Sequence, residues 1–192
     1  MKNPLPRQLL PSRWNTLHLI VTDSTLADIP ELQQINDAVP QTQSWTHVGG
    51  ENEACSMLTA LEDGVLPPTP DRSKAYFRMQ SIRLSSAGKL IGFLAVYHGF
   101  PQEYIFWINA ITFATKFQGQ GYGPELLLGL SEIVRHLGSY TCIRSYVALN
   151  NVHSLKLCVK TGFNKMVEIA GEKVDSDINH THMLVEKTFE VI

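Results

Sequence analysis

The sequence predicts a mixed α/β protein built as one domain, and three observations support this fold class. The chain has 192 residues, a length that suits one domain with a full hydrophobic core. Hydrophobic residues make up 44% and charged residues 18% of the chain, which is a globular composition. Segments with the two-residue period of strands also alternate with segments that have the helical period.

The N-terminal part of the chain predicts one strand followed by two helices. Residues 14–21 (WNTLHLIV) alternate in polarity and predict the strand. Asp23 or Ser24 is a suitable N-cap for a helix that continues through Ala38. Apolar residues at helical spacing predict the second helix over 51–61.

The central part predicts three strands and a long helix. Residues 75–84 and 89–97 are rich in strand-forming residues, and a Ser-Ala-Gly turn joins them into a hairpin. Residues 104–113 predict the third strand. The glycine-rich segment 118–124 then leads into an amphipathic helix, which ends at Gly138.

The C-terminal part predicts a strand, a short helix and two more strands. The strand covers 143–149, where apolar and polar residues alternate. The helix covers 151–161 and ends at Gly162, a residue type that favours the left-handed conformation at a helix end. Residues 163–192 predict the last two strands, so the predicted order is β-α-α-β-β-β-α-β-α-β-β.

Charge and composition exclude several functional classes. The formal net charge is −2, from 16 basic and 18 acidic residues, which argues against nucleic acid or an anionic membrane as partner. No apolar run approaches the roughly 20 residues of a spanning helix, and the first residues do not resemble a signal peptide. We therefore expect a cytoplasmic protein.

The cysteines and histidines predict neither a disulfide framework nor a metal site. The three cysteines, Cys55, Cys142 and Cys158, are odd in number and contain no CxxC pair. His180 and His182 alternate on a predicted strand and so share a face. Because no third ligand lies near them, we expect no bound metal.

The glycine cluster before the long helix has the design of an anion-binding turn. The first turn of a helix leaves backbone N–H groups without partners and concentrates positive partial charge. Gly119, Gly121 and Gly123 allow the backbone to approach a phosphate closely, and Pro124 suits an early helical position. The spacing fits neither the dinucleotide fingerprint nor the P-loop. A glycine-rich turn without a ligand is the alternative.

Two segments resemble the GCN5-related N-acetyltransferases, the GNAT superfamily. Gln118-Gly119-Gln120-Gly121-Tyr122-Gly123 is similar to the family's Q/R-x-x-G-x-G/A segment. The second segment, similar to N-x-x-A/S…GF, carries Asn151, Ser154, Gly162 and Phe163. The resemblance implies a single GNAT-like domain over residues 1–192, with a mostly antiparallel sheet flanked by helices.

The resemblance also implies acetyl-CoA as co-substrate and a set of residues that hold it. A splayed central strand would meet the acetyl-pantetheine arm through Ile111, Thr112 and Phe113. The glycine-rich loop would bind the pyrophosphate through Gln118, Gly119, Gln120, Gly121, Tyr122, Gly123 and Pro124. Asn151 and Ser154 would lie beside the pantetheine. A helix N-cap is a second interpretation of Asn151, and the two roles are compatible.

The candidates for catalysis depart from the family pattern. Acetyl transfer to an amine needs a base for the amine and an acid for the leaving thiolate, and the family often supplies the acid from a tyrosine at the position of Cys158. A thiol is a weak donor, and a small buried apolar residue is the alternative interpretation of Cys158. Tyr146 and Tyr122 are substitute donors. Glu103 is the carboxylate nearest the central strand and the candidate base, with a solvated loop residue as alternative.

The expected function is acetyl-CoA-dependent N-acetylation of a primary amine, on a small molecule or an exposed protein amino group, by direct transfer. A non-catalytic acyl-CoA-binding or sensor protein is the main alternative, and transfer to an alcohol is a third. The acceptor pocket is expected from the first two helices and the proline-rich loop 62–73. Members of the family often dimerise, so a homodimer is a further expectation.

Overall fold

The computed structural model describes residues 9–39, 76–169 and 182–189. The strands are β1 (Arg13–Asn15), β2 (Leu19–Asp23), β3 (Tyr76–Leu84), β4 (Leu90–His98), β5 (Ile105–Phe113), β6 (Cys142–Ala148), β7 (Lys165–Ile169) and β8 (His182–Thr188). The helices are α1 (Ile29–Asp37), α2 (Tyr122–Leu137) and α3 (Val152–Lys160). No helix among these residues is long and apolar enough to cross a membrane.

The described strands form one open sheet in the order β1-β2-β3-β4-β5-β6-β8-β7. Neighbouring strands are antiparallel throughout, except that β5 and β6 run parallel. The predicted mixed α/β class with a mostly antiparallel sheet is therefore confirmed. The predicted helix over 51–61 and the loop over 62–73 lie outside the described residues.

The prediction of one strand over residues 14–21 is wrong, because this segment is a hairpin. β1 and β2 pair with each other, with Trp14 opposite Val21. The backbone N–H of Thr16 donates to the carbonyl of Leu19 at 2.9 Å, and Leu17 at the turn is 81% exposed. Polarity alternates through the turn as it does through a strand, so the pattern does not distinguish the two.

Helix α1 begins after a short 3-10 turn that is fixed to the sheet by Asp28. Thr25 and Asp28 form a capping box, in which the Asp28 carboxylate accepts from the Thr25 amide at 2.9 Å. The same carboxylate accepts from the hydroxyl of Ser81 on β3 at 3.0 Å and pairs with Arg83. These contacts place α1 on one face of the central strands, where it packs against the strands through Leu32 and Ile35.

Helices α2 and α3 cover the other face of the sheet. The apolar stripe predicted for α2 is buried there, and Gly138 ends the helix with a φ of 65°. The main core on this face draws on α2, α3, β4 and β5, and it includes Leu126, Leu130, Val134, Cys158, Leu94, Val96 and Phe106. The central strand β4 is buried along its whole length, so it lies at the centre of the packed sheet.

Glu186 connects the last three strands of the sheet. Its carboxylate accepts from Arg144 Nε on β6 at 2.5 Å and from Lys165 Nζ on β7 at 2.7 Å. Burial alone raises the pKa of Glu186, but the hydrogen bonds from Lys165 and Arg144 outweigh it and hold the pKa below its usual value. The carboxylate is therefore charged at neutral pH and ties β6 to β7.

Candidate active site

Strands β5 and β6 separate along their length and leave a wedge between them. They pair only at three positions, from Ile105 opposite Cys142 to Trp107 opposite Arg144. Beyond that point β5 stays paired with β4, and β6 stays paired with β8. Backbone groups of residues 108–113 that face β6 therefore have no neighbouring strand. We call this opening, between 108–113 and 145–148, the wedge.

The backbone of β5 presents alternate residues to the wedge. The N–H of Ala114 donates to the Ile91 carbonyl of β4 at 2.8 Å, and successive residues of an antiparallel pair direct their backbone groups to opposite sides. Thr112 therefore directs its backbone groups to β4. Ile111 and Phe113 direct theirs into the wedge, so of the three predicted pantetheine contacts these two are suitably oriented.

The glycine-rich loop follows β5 and lies at the start of α2. Gly119 and Gly121 have φ values of 74° and 90°, which other residues adopt only with strain. No atom lies within 4 Å of the position a Cβ would take at either glycine. The α-helical ladder supplies no acceptor for the first amides of α2, so the loop can present N–H groups to an anion.

Gly123 differs in conformation from the other two glycines. Its φ is not positive, and a Cβ there would lie 3.5 Å from the side chain of Leu157 on α3, an ordinary van der Waals distance. Gly123 therefore lies where the N-terminal turn of α2 meets α3. Its contact with a phosphate stays a prediction.

Two glutamines brace the loop from inside. Gln118 Nε2 donates to the Phe113 carbonyl at 2.9 Å, which occupies a carbonyl that would otherwise face the wedge. Gln120 Nε2 donates to the Lys116 carbonyl at 2.6 Å. Lys116 Nζ also lies 5.3 Å from the centre of the Phe117 ring, so positive charge lies just before the loop. The braced loop and the positive charge of Lys116 both favour an anionic ligand.

Glu125 connects the first turn of α2 to the β1–β2 turn. Its carboxylate accepts from the Thr16 hydroxyl at 2.5 Å and from the His18 amide at 2.7 Å, and it lies 2.9 Å from His18 Nδ1. Burial alone raises the pKa of Glu125, but these hydrogen bonds outweigh it and keep the pKa below its usual value. The Glu125 carboxylate is thus directed at the β1–β2 hairpin, and the hydrogen-bond donors there stabilise its negative charge.

Helix α3 begins at Asn151, which acts as a helix cap. The Asn151 side chain accepts from the Ser154 amide at 3.1 Å, as the cap interpretation predicts. α3 follows β6 directly and contacts α2 at Leu157, so it lies along the β6 side of the wedge. Contact of Asn151 and Ser154 with the pantetheine stays a prediction.

Of the three catalytic candidates, only Tyr146 lies at the wedge. Tyr146 lies two residues beyond Arg144, the last residue of β6 that pairs with β5. Its ring packs against Trp107 at a centroid distance of 4.8 Å, and the residue is 47% exposed. Glu103 is exposed in the turn before β5. The paired segment Ile105–Trp107 lies between Glu103 and the wedge, so the structure does not bring this carboxylate to the site.

Cys158 is a buried thiol in the apolar core below α3. The residue is 6% exposed, and burial raises the pKa of its thiol to about 11. The thiol is therefore protonated at neutral pH, and a protonated thiol is a poor nucleophile. The packing role is the interpretation that this burial favours.

We predict that Cys158 is neither an acetyl carrier nor essential. Replacing Cys158 with Ala should lower kcat/KM by no more than about tenfold, or about 1.4 kcal/mol in barrier. Steady-state kinetics per folded molecule measures this, and intact-protein mass spectrometry after incubation with acetyl-CoA should show no acetyl group on Cys158. Cys142→Ala, at another buried thiol, is the control. A thousandfold loss in the Cys158 variant, or a trapped acetyl group, contradicts the prediction.

Two residues of the site were not predicted from the sequence. Gly92 on β4 lies opposite Phe113, and a Cβ there would lie 2.2 Å from the Thr112 carbonyl oxygen. Asn109 lies where β5 contains an extra residue relative to β4. A lone glycine inside a strand pattern signals a close backbone approach, so Gly92 had a usable signal, whereas Asn109 showed only as a polar residue in an apolar run.

No group of three His, Cys, Asp or Glu side chains that could hold a metal ion occurs in residues 9–39, 76–169 and 182–189. His182 lies on β8 with its ring 6.4 Å from that of Tyr146, which places an imidazole near the wedge. His180 lies outside the described residues.

Comparisons with known proteins agree with this geometry. A family model described as "Acetyltransferase (GNAT) family" matches residues 40–163. Spermine/spermidine N(1)-acetyltransferase of Bacillus subtilis (strain 168) is 34% identical over 99 residues, and the match covers 45% of this chain and 62% of that protein. The match thus spans under two thirds of that relative.

A solved structure has the same fold over almost the whole chain. The crystal structure of spermidine N-acetyltransferase from Vibrio cholerae in complex with CoA and spermine has a TM-score of 0.67 and 14% identity. The likeness covers 89% of this chain and 95% of that one.

Proposed function

Because the chain belongs to the acetyltransferase (GNAT) family, we propose that it is an acetyl-CoA-dependent N-acetyltransferase. In this proposal the acetyl group moves directly from CoA to a primary amine of a small molecule. A single domain over residues 1–192, a cytoplasmic location and a homodimer are parts of the same proposal.

The wedge between β5 and β6 is the observation that carries the proposal. It is open on the side of the glycine-rich loop and closed at Trp107 and Arg144. A ligand with an anionic head and a long, narrow arm fits this shape, since the head meets the amides at the start of α2. The arm would then lie along the backbone groups of Ile111 and the N–H of Phe113, and its acyl end would reach the closed end of the wedge.

The chemistry at the closed end requires a proton donor for the leaving thiolate. Tyr146 lies there with an exposed ring and a hydroxyl that can donate, so we assign the acid role to it in preference to the buried Cys158. The amine has to lose its proton before or during attack. Among the described residues, the His182 imidazole lies near the wedge, so the base is this group, solvent or a group from outside the described residues.

For the acceptor we propose a polyamine or a related aliphatic amine. The support comes from the B. subtilis relative, which is named a spermine/spermidine acetyltransferase. The half-exposed ring of Tyr146 adds an aromatic face near the transfer point, and such faces attract cationic amines. Direct transfer to an exposed protein amino group is the alternative acceptor class.

We predict that acetyl-CoA binds and stabilises the folded protein. At a concentration 100 times its dissociation constant, acetyl-CoA should raise the free energy of unfolding by about 2.7 kcal/mol, a rise in Tm of about 5–11 °C for a chain of this size. Titration calorimetry and thermal unfolding measure the two quantities. No binding at millimolar acetyl-CoA contradicts the proposal.

Turnover separates an enzyme from an acyl-CoA-binding protein of the same fold. Release of the free CoA thiol from acetyl-CoA should be measured with a panel of acceptors. The panel contains spermidine, spermine, a lysine-containing peptide and an alcohol that has no amino group. Release that depends on the polyamines supports the proposed function. Binding of acetyl-CoA without release in the presence of any acceptor supports the non-catalytic alternative, and release with the alcohol alone indicates O-acetylation.

A further inference from the structure

Strand β5 contains a bulge at the closed end of the wedge, and Asn109 is the extra residue. Ala95 of β4 lies opposite Ala110, and the next residue of β4, Val96, lies opposite Ile108. Asn109 therefore has no partner position on β4. Bulges of this kind change the direction of a side chain and occur often beside active sites.

The Asn109 carboxamide is a buried donor without an acceptor. Its Nδ2 is buried and makes no hydrogen bond to any residue in the described part of the chain. A buried N–H group without a partner costs free energy comparable to a lost hydrogen bond, so native structures contain few of them. An acceptor supplied by a ligand explains why this one persists.

The position of Asn109 matches the end of the path that the acyl group would follow. Trp107 is the last residue of β5 that pairs with β6, and Asn109 is the second residue beyond it. Asn109 lies four residues before Phe113, or about 13 Å at 3.3 Å per residue. An arm that enters past Phe113 and reaches the closed end of the wedge therefore passes the bulge.

We propose that Asn109 donates its Nδ2–H to the carbonyl oxygen of the thioester and stabilises the negative charge that develops there. The inference rests on the proposed acetyl transfer. In that reaction the amine nitrogen forms a bond to the carbonyl carbon and the C–S bond breaks. The sulfur keeps the bonding pair and takes up a proton, and the nitrogen gives up a proton. The Asn109 N–H is a donor, so a carbonyl oxygen can accept its hydrogen bond. The ammonium group of the acceptor amine carries only donors and cannot.

Asn109→Leu tests the proposal, because leucine has a similar size and no donor. We expect its kcat to fall about a hundredfold, as for loss of an oxyanion donor. The affinity for CoA, which has no carbonyl at the sulfur, should stay within about twofold of the wild-type value. The affinity for acetyl-CoA relative to CoA should fall severalfold in titration calorimetry.

Thermal unfolding of the unliganded protein separates this role from a structural one. Because Asn109→Leu removes a donor that has no partner, its Tm should equal or exceed that of the wild type. Asn164→Leu is the matched control, since Asn164 Nδ2 donates to the Thr188 hydroxyl at 2.8 Å away from the wedge. It should lose stability and keep its kcat.

Asn109→Ser provides a second, smaller side chain. The proposal is overturned if Asn109→Leu and Asn109→Ser both keep the wild-type kcat. It is also overturned if both variants unfold at a clearly lower temperature while kcat per folded molecule is unchanged. If the wild type binds acetyl-CoA but shows no turnover, the proposed function fails. The ratio of acetyl-CoA to CoA affinity then still decides the role of Asn109.

Discussion

Replacing Gly121 with Val is expected to weaken acetyl-CoA binding at least a hundredfold, about 2.8 kcal/mol. Gly121 is the N-cap of α2 with a φ of 90°, a conformation that a β-branched residue adopts only with strain. The substitution moves the amides of the loop and puts a side chain where the anion would lie. Hydrogen bonds from amides to a charged ligand are worth about 1.5–3 kcal/mol each, so the loss of one or two accounts for the effect. Titration calorimetry on the folded variant measures it.

Gly138 provides a matched control for Gly121 at the other end of the same helix. Gly138 ends α2 with a φ of 65° and, like Gly121, has no atom within 4 Å of its Cβ position. Gly138→Val should lose similar stability, about 1–3 kcal/mol, and should keep its affinity for acetyl-CoA. Equal loss of affinity in both variants, or unchanged affinity in folded Gly121→Val, shows that the glycines of the loop are structural only.

Replacing Gly92 with Ala is expected to cost about 3 kcal/mol of folding free energy, at the upper end of the range for overpacking. The added methyl group would lie 2.2 Å from the Thr112 carbonyl oxygen and 3.2 Å from the Phe113 Cα. Both atoms belong to the backbone of β5, which the sheet register holds in place. For a chain of this size the cost lowers Tm by about 6–12 °C, which thermal unfolding followed by circular dichroism measures.

Gly88→Ala is the control for Gly92→Ala. Gly88 lies in the β3–β4 turn with a φ of 64° and with open space around it, so alanine there costs about 1–2 kcal/mol through backbone strain alone. Because Gly92 contacts the strand that faces the wedge, Gly92→Ala should also weaken acetyl-CoA binding, whereas Gly88→Ala should not. A Tm for Gly92→Ala equal to that of the wild type contradicts the close approach of β4 and β5.

The sequence alone determined the type of nearly every described element. The strands that became β3, β4, β5 and β6 and the helix α3 were predicted within two residues at each end, as was the C-terminal end of α2, because hydrophobic period and glycine punctuation act over a few neighbouring residues. The glycine-rich loop was also identified from local chemistry, since positive φ at Gly119 and Gly121 and free amides at a helix start depend on adjacent residues only.

Tertiary structure decided everything that depends on a partner distant in sequence. The segment 14–21 became a hairpin because its two halves pair with each other and β2 pairs with β3, and polarity alternation contains no information about pairing. The burial of Cys158 against the sheet favours its packing role, and three paired positions separate Glu103 from the wedge. Both outcomes depend on which strands lie next to each other.

The wedge itself is the clearest case of a feature that only the folded chain defines. It exists because β5 and β6 stop pairing after Trp107 and Arg144, and neither strand shows this in its own residues. The bulge at Asn109 and the close approach at Gly92 are likewise defined only by the register of β5 against β4. Local sequence sets whether a segment is a helix, strand or turn. Strand register between distant segments sets which polar groups are left without a partner, and in this protein those groups form the proposed site.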